Sequence, residues 1–243
     1  MNIDQLIMGG LLGDSCIPKL EKLAKNNRLH FAHSQNQKCY AEMKADLFKE
    51  YKTNLGIKHN VIKSDRYKTG KIEEYRFRTK SAPIFNYYRN LFYPDGKKIV
   101  PKEIENLTEE GLAIWFLDDG YRTGNNTKGI AFSTEGFDKE SIERLKTLLT
   151  NKFGLKCSIH SRNIIYIWVK SVPKLMKLIS PFVPECMRYK MNGSCINRVN
   201  CKKEENLICS QASNALEEGS TTTGGVGSLN NQQERPTPIK VMT

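Results

Sequence analysis

The stretch Leu-Ala-Ile-Trp-Phe-Leu-Asp-Asp-Gly, residues 112–120, is apolar for about two helical turns and then ends in two carboxylates. A second stretch of the same kind, Leu-Ile-Met-Gly-Gly-Leu-Leu-Gly-Asp-Ser, occupies residues 6–15. The last acidic residues of the two stretches, Asp14 and Asp119, are 105 positions apart. The chain therefore contains two copies of one motif, each an apolar segment that closes on an aspartate.

Both motifs follow a helix-start signal. Asn2 with Gln5 three residues later is a capping-box variant, and Thr108 is followed by two glutamates, which favour a first helical turn. We therefore predict that each motif is a helix.

The first motif helix contains glycines where a helix normally avoids them. Each interior glycine costs ~0.5–1 kcal/mol relative to alanine, so a compensating contact is expected. Gly9 and Gly13 are four residues apart and share a face, which permits a partner helix to approach closely. The predicted partner is the second motif helix, with Ala113 as its small contact residue.

The two copies also indicate which aspartates carry chemistry. Asp118 and Asp119 point about 100° apart on a helix, and aligning the copies pairs Asp14 with Asp119. If the helices cross in parallel, these two carboxylates emerge side by side at the negative ends of the helix dipoles. Such a site favours a divalent cation, and oxygen ligands with open positions suit Mg²⁺.

The chain is strongly basic. Its 243 residues contain 38 Lys and Arg against 26 Asp and Glu, a formal net charge of +12. Residues 204–243 contain five Glu against one Arg and one Lys, so residues 1–203 carry +15. Because a charge of this size attracts polyanions, nucleic acid is the expected partner, ahead of an anionic membrane surface.

Several classes of protein are disfavoured. No window approaches ~18 uninterrupted apolar residues, so no membrane span is expected, and the N-terminus resembles neither a secretory signal nor a transit peptide. The seven cysteines are odd in number and include no Cys-x-x-Cys, which argues against a zinc site and against a disulfide framework. A reducing compartment is expected.

The pattern of helices and strands after each motif is also repeated. After the first motif we predict a strand over 28–34, a helix over 37–51, strands over 61–67 and 72–80, and a helix over 82–92. After the second we predict a strand over 129–134, a helix over 139–153, strands over 156–161 and 164–170, and a helix over 173–179. The fold class is therefore α+β, with pseudo-symmetric halves at 1–105 and 106–200. Residues 204–243 are polar and Gly-rich, so a disordered tail is expected there.

Alternation along the strands separates a polar, basic face from an apolar one, as a sheet that enters a DNA groove requires. An antiparallel sheet with one solvated face gives the same alternation, but not the bias toward Arg and Lys. The predicted DNA contacts are Arg28, His30, Ser34, Arg76, Arg78, Lys80, Lys156, His160, Tyr166 and Lys170. His30, His33, His59 and His160 form neither an HNH nor a Ser-His-Asp pattern, so catalysis by histidine is not expected.

Residues 7–15 and 112–120 resemble the paired motifs of the two-motif, monomeric LAGLIDADG homing endonucleases, closest to the omega-intron type. The resemblance covers about residues 3–195. It implies two αββαββα-like half-domains with curved antiparallel sheets that are joined by a two-helix motif interface. It also implies a double-strand break with 3′ overhangs. Ser15 departs from the family pattern, which has glycine after the aspartate.

The resemblance further assigns site residues. Asp14 and Asp119 become metal ligands, helped by the carbonyl groups of Gly13 and Asp118. Lys98 and Lys190 match lysines near the active site, where an ammonium can stabilise charge on a phosphate. Mg²⁺ is the expected cofactor, with Mn²⁺ as a substitute, and no organic cofactor is expected.

We therefore predict a monomeric, site-specific endodeoxyribonuclease that cuts a long duplex target and promotes intron homing. Two alternatives on the same scaffold stay open: an RNA-binding maturase that acts on its own intron RNA, and a DNA-binding protein with a lapsed active site. With no transit segment, synthesis is expected where the DNA resides, in a mitochondrion, a chloroplast, or a bacterial or phage-infected cytoplasm.

Overall fold

The computed structural model describes residues 1–20, 22, 24–63, 70–124 and 129–192. The tail predicted at 204–243 lies outside these residues, as do the three cysteines at 195, 201 and 209. Within the described part of the chain, no helix is long and apolar enough to cross a membrane.

The chain combines helices with antiparallel strand pairs, as the α+β prediction requires. The first motif and the elements after it are α1 (Ile3–Leu12), β1 (His30–Ser34), α2 (Lys38–Leu47), β2 (Lys52–Lys63), β3 (Lys71–Thr79) and α3 (Pro83–Phe92). The second motif and the elements after it are α4 (Glu109–Asp119), β4 (Gly120–Arg122), β5 (Ile130–Phe132), α5 (Lys139–Asn151), β6 (Cys157–His160), β7 (Ile164–Ile167), α6 (Val172–Ile179) and α7 (Tyr189–Asn192).

The strands form two antiparallel sheets, one after each motif helix. The first sheet has the order β1-β3-β2, and the second has the order β4-β5-β7-β6. This arrangement confirms the predicted fold class. Because each motif helix is followed by its own sheet, we propose that the two half-domains meet near residue 105.

The strands that differ most from the prediction are β2 and β4, and β7 ends at Ile167 instead of residue 170. β2 begins at Lys52 instead of residue 61, because a register shift between Lys52 and Ile57, with Gly56 at φ +53°, interrupts the alternation that marks a strand. β4 was not predicted at all, since three residues are too few to show a period of two.

The start of α1 is capped as predicted, but the capping box is wrong. The Asn2 side chain accepts a hydrogen bond from the Asp4 N–H at 2.7 Å. The Gln5 side chain makes no hydrogen bond to Asn2. Its Oε1 accepts from the Thr108 N–H at 2.6 Å, and its Nε2 donates to the Asn106 carbonyl at 3.1 Å. Gln5 therefore ties the start of α1 to the start of α4.

The motif helices run parallel and in backbone contact. Their starts meet through Gln5, and further along a Cβ on Gly9 would lie 2.3 Å from the Gly111 carbonyl oxygen. At the far end, a Cβ on Gly13 would lie 2.3 Å from Asp118 Cβ. The glycine face of α1 therefore packs on α4, which confirms the predicted two-helix interface.

The predicted contact residue on α4 was wrong. The atoms nearest to the missing Cβ of Gly9 belong to Gly111 and Ile114, and not to Ala113. Together with Asp118, Gly111 and Ile114 follow the spacing of a single helical face, whereas Ala113 lies to its side.

The prediction against disulfides also requires correction, because the structure joins Cys39 of α2 to Cys186. The two Cα atoms are 6.5 Å apart although the residues are 147 positions apart in sequence. No spacing rule pairs cysteines at that separation, since only the fold brings them together. Cys16 and Cys157 are free thiols.

Candidate active site

The parallel motif helices bring two carboxylates to one place. Asp14 follows Gly13, the C-cap of α1, and Asp119 is the last residue of α4. Burial raises the pKa of Asp119 to about 7, and repulsion from Asp14 and Asp118 adds to that rise. A cation bound beside Asp119 would oppose both effects and favour the ionised carboxylate.

Two lysines reach the ends of the same helices. Lys98 Nζ donates to the Gly13 carbonyl at 3.3 Å and to the Ser15 carbonyl at 3.1 Å. Lys190 Nζ donates to the Leu117 carbonyl at 2.6 Å and to the Asp118 carbonyl at 3.3 Å. Each motif thus has one lysine on its terminal carbonyl groups. The carbonyl groups of Gly13 and Asp118, which were expected to be metal ligands, therefore each accept a hydrogen bond from a lysine.

Burial lowers the pKa of both lysines, and the nearby carboxylates oppose that shift. For Lys98 the strongest opposing charge is Asp119, and for Lys190 it is Asp118. The two ammonium groups therefore lie within the electric field of the carboxylates.

Asp118 has a different environment from Asp119. Its Oδ1 accepts from the Tyr40 hydroxyl at 2.7 Å, and its Oδ2 from Lys44 Nζ at 2.6 Å and from the Asp14 N–H at 3.1 Å. The side chains of Asp118 and Lys44 are fully buried. The Asp118 carboxylate is thus neutralised inside the protein, and it holds the backbone of Asp14 from across the interface.

Sequence reasoning missed Tyr40 and Lys44. Both lie on the buried face of α2, which also contains Ala41 and Ala45. A lysine inside an otherwise apolar helical stripe requires a buried anion, so Lys44 was the available signal.

His33 was also missed. It lies at the inner face of β1, next to the buried Phe31, and its side chain is fully buried. Its Nδ1 is 3.3 Å from Asp14 Oδ2, and its Nε2 is 3.9 Å from Asp118 Oδ1. The signal was a histidine on an apolar strand face, which alternation alone assigns to the core.

The donor set fits a hard divalent cation. Ligand atoms of Asp14, His33 and Asp118 lie within 4.8 Å of one another, but Asp118 is already committed to Lys44. The Asp14 side chain is 38% exposed, and Asp119 is only partly buried. These two aspartates offer accessible carboxylate oxygen atoms, which are the ligands that Mg²⁺ and Mn²⁺ prefer.

The first sheet presents the expected polar face. The residues on it are Arg28, His30, Ser34, Arg76, Arg78 and Lys80, and all six are at least partly exposed, whereas Leu29, Phe31 and Phe77 behind them are buried. His30 pairs with Arg78 across the strands. Arg76 donates to Glu74 at 2.6 Å, so its guanidinium is partly engaged.

The second sheet presents a less charged face. Lys156 and His160 are exposed, and the ring of Tyr166, which is half-buried, stacks on His160 with 4.8 Å between centroids. Lys170 is also exposed, but it lies in a 3-10 turn (Val169–Ser171) after β7 and not on the strand predicted for it. Trp168 is 47% exposed on the same side. The two sheets therefore offer different surfaces, one rich in arginine and the other rich in aromatic rings.

Comparison with known proteins agrees with this geometry. Residues 4–175 match the family model of the LAGLIDADG DNA endonuclease family. The structure superposes on the homing endonuclease I-WcaI bound to its DNA recognition sequence, with a TM-score of 0.70 and 31% identity over 77% of this chain and 84% of that chain.

Two curated relatives are similar in sequence. The cytochrome b mRNA maturase bI2 of Saccharomyces cerevisiae is 34% identical over 210 residues, or 79% of this chain and 48% of the maturase. The intron-encoded endonuclease ai4 of Dictyostelium discoideum is 36% identical over 142 residues, or 56% of this chain and 84% of that protein. The chain thus spans about half the length of the maturase.

Proposed function

The chain belongs to the LAGLIDADG DNA endonuclease family, and we propose that it cuts both strands of one long DNA site in a reaction that requires a divalent cation. The observation that carries the proposal is the delivery of Asp14 and Asp119 to one place by parallel helices in backbone contact. The product is a double-strand break with 3′ overhangs, and the biological outcome is homing of the intron that encodes the protein.

Asp14 and Asp119 would hold Mg²⁺, or Mn²⁺ in its place. Bound there, the cation supplies an activated water and neutralises charge on the scissile phosphate. Lys98 and Lys190 fix the backbone at the helix ends and place their ammonium groups where charge develops on a phosphate. Asp118 holds the Asp14 backbone, so this ligand is oriented before DNA arrives.

Double-stranded DNA is the partner, and the two sheet faces are the contact surface. I-WcaI is bound to its DNA recognition sequence, and the present chain carries +15 in residues 1–203. The first sheet supplies guanidinium groups that suit guanine and phosphate, and the second supplies rings that suit thymine methyl groups and sugars. We propose that one monomer spans the site, because a single chain contains both motifs.

The test compares the wild-type chain with Asp14→Asn and Asp119→Asn on a DNA library that carries candidate target sites. Wild type should linearise target DNA only when Mg²⁺ is present. Each variant should lose double-strand cleavage while its affinity for the target stays within about twofold, because the fold is retained and only a ligand charge is lost. Asp46→Asn, which alters an exposed carboxylate paired with Lys52, is the matched control and should cleave normally.

Linearisation at the wild-type rate by either motif variant would contradict the assignment of the metal site. Wild type that binds the target in Mg²⁺ but leaves it uncut would instead favour a DNA-binding protein with a lapsed active site.

A second function is favoured by the 34% identity to an mRNA maturase over 79% of the chain. We propose that the chain also binds its own intron RNA and assists splicing. Asp14→Asn should keep this activity, since RNA binding does not require the cation site. Splicing of the intron RNA with and without this variant is the measurement, and loss of splicing together with cleavage would contradict a separate RNA function.

A further inference from the structure

His33 is held rigidly beside the candidate active site. Its ring lies 4.7 Å from the ring of Tyr40 and 5.3 Å from that of Phe31, measured between centroids. Its side chain is fully buried, so water cannot satisfy the imidazole. The orientation of the ring is therefore fixed by packing, before any ligand binds.

Both ring nitrogens face carboxylates. Within the described residues neither nitrogen makes a well-directed hydrogen bond, and such a buried polar group normally has a partner. Asp118 Oδ1, at 3.9 Å from Nε2, is beyond hydrogen-bond distance and already accepts from the Tyr40 hydroxyl. Asp14 Oδ2, at 3.3 Å from Nδ1, is within hydrogen-bond distance and is the remaining partner.

The second half has no equivalent imidazole among its described residues. Cys16, two residues after Asp14, pairs with His30, and His33 follows three residues later. In the second half, Tyr121 is two residues after Asp119 and pairs with Ala131, so the corresponding position is Thr134.

Thr134 is buried, and its hydroxyl donates to the Asn163 carbonyl. The Thr134 hydroxyl therefore already has a hydrogen-bond partner in Asn163. The electrostatics of the two carboxylates differ accordingly. Burial alone would raise the pKa of Asp14, but the contact with His33 and the nearby lysines lower it, whereas the pKa of Asp119 rises to about 7.

We propose that His33 is a positioning residue that holds the Asp14 carboxylate in the orientation that binds the divalent cation. The inference rests on the proposed function, and it makes the two halves of the site unequal. A partner that orients a liganding group typically changes metal affinity or activity ~10–100-fold when it is removed. We expect removal of the His33 imidazole to change metal affinity and activity within this range.

The experiment compares His33→Leu with His33→Asn. Leucine fills the buried space without a polar nitrogen, whereas the asparagine amide nitrogen occupies nearly the place of Nδ1. Thr134→Val is the matched control at the corresponding position of the other half. Mn²⁺ binding to the protein–DNA complex is measured by calorimetry, and kcat, KM and the DNA Kd are measured alongside.

His33→Leu should weaken Mn²⁺ binding and lower kcat about 10–100-fold, with the DNA Kd unchanged. His33→Asn should retain most of the Mn²⁺ affinity and most of kcat. Thr134→Val should leave Mn²⁺ affinity at the wild-type value. Because calorimetry does not require turnover, a wild type that binds Mn²⁺ but does not cleave would refute the proposed function and still decide the role of His33.

Wild-type Mn²⁺ affinity in His33→Leu would overturn the inference. Equal losses in the Leu and Asn variants would also overturn it, since the nitrogen near Asp14 would then not be the cause. If the Leu variant does not unfold cooperatively, His33→Gln replaces it, because the longer glutamine places its amide near Asp118 and should fail where Asn succeeds.

Discussion

The close contact between the motif helices gives the sharpest prediction for this protein. In Gly9→Ala, the added Cβ would lie 2.3 Å from the Gly111 carbonyl oxygen and 2.9 Å from Ile114 Cβ. A comfortable C···O contact is about 3.3 Å, so α1 and α4 must separate by about 1 Å. The atom in the way belongs to the backbone and cannot rotate aside.

Two opposing terms set the size of the effect. Alanine gains ~0.5–1 kcal/mol of helix propensity over glycine. Overpacking a core costs ~1–3 kcal/mol, and a backbone clash belongs at the upper end. The net destabilisation should be about 2 kcal/mol, which lowers the Tm of a chain of this size by roughly 4–8 °C.

The displacement should affect cleavage more than stability. Asp14 and Asp119 are held in place by this interface, and a 1 Å misplacement of reacting groups can cost on the order of 100-fold in rate. We therefore expect Gly9→Ala to bind target DNA but cleave it about 100-fold more slowly. Thermal unfolding by circular dichroism and single-turnover cleavage measure the two effects.

Gly136→Ala is the matched control. Gly136 is exposed, its φ is not left-handed, and a Cβ there would meet nothing within 4 Å. It should gain ~0.4–1 kcal/mol through the unfolded state and cleave normally. If Gly9→Ala is as stable and as active as Gly136→Ala, close packing of the motif helices does not position the active site.

Three further perturbations test other parts of the structure. Lys44→Met leaves Asp118 charged and unpaired in the interior, so urea unfolding should show a loss of ~3–5 kcal/mol, and addition of Asp118→Asn should recover most of it; an additive loss would contradict the buried pair. Asp138 caps α5, and hydrogen bonding with Ser141, chiefly with its N–H, lowers the pKa of the Asp138 carboxyl, so Asp138→Ala should cost ~1 kcal/mol at neutral pH. That cost should decrease as pH falls through the lowered folded pKa, because the protonated carboxyl accepts the capping hydrogen bond more weakly than the carboxylate does; a cost constant down to pH 2 would refute the charge effect. Arg78→Ala should weaken target binding by ~1–3 kcal/mol and change its salt slope or its base preference, and more so than Arg76→Ala, whose guanidinium is already paired; no change in either variant would exclude this face from the DNA interface.

Much of the fold could be predicted because its signals are local. The caps at Asn2 and Asp138 lie next to the helices they begin, and the period of apolar residues separates helices from strands. The glycine spacing at 9 and 13 indicated the face of α1 that packs on α4. The two motifs, read together, also selected Asp14 and Asp119 as the carboxylates that share a site.

Only the tertiary structure decided how these carboxylates are held. Asp118 meets Lys44 and Tyr40 across 74 and 78 positions of sequence, and His33 meets Asp14 from a neighbouring strand. Cys39 and Cys186 are likewise joined across 147 positions. Each of these contacts depends on the relative placement of separate elements, which follows from packing over the whole core and leaves no period or spacing in the sequence.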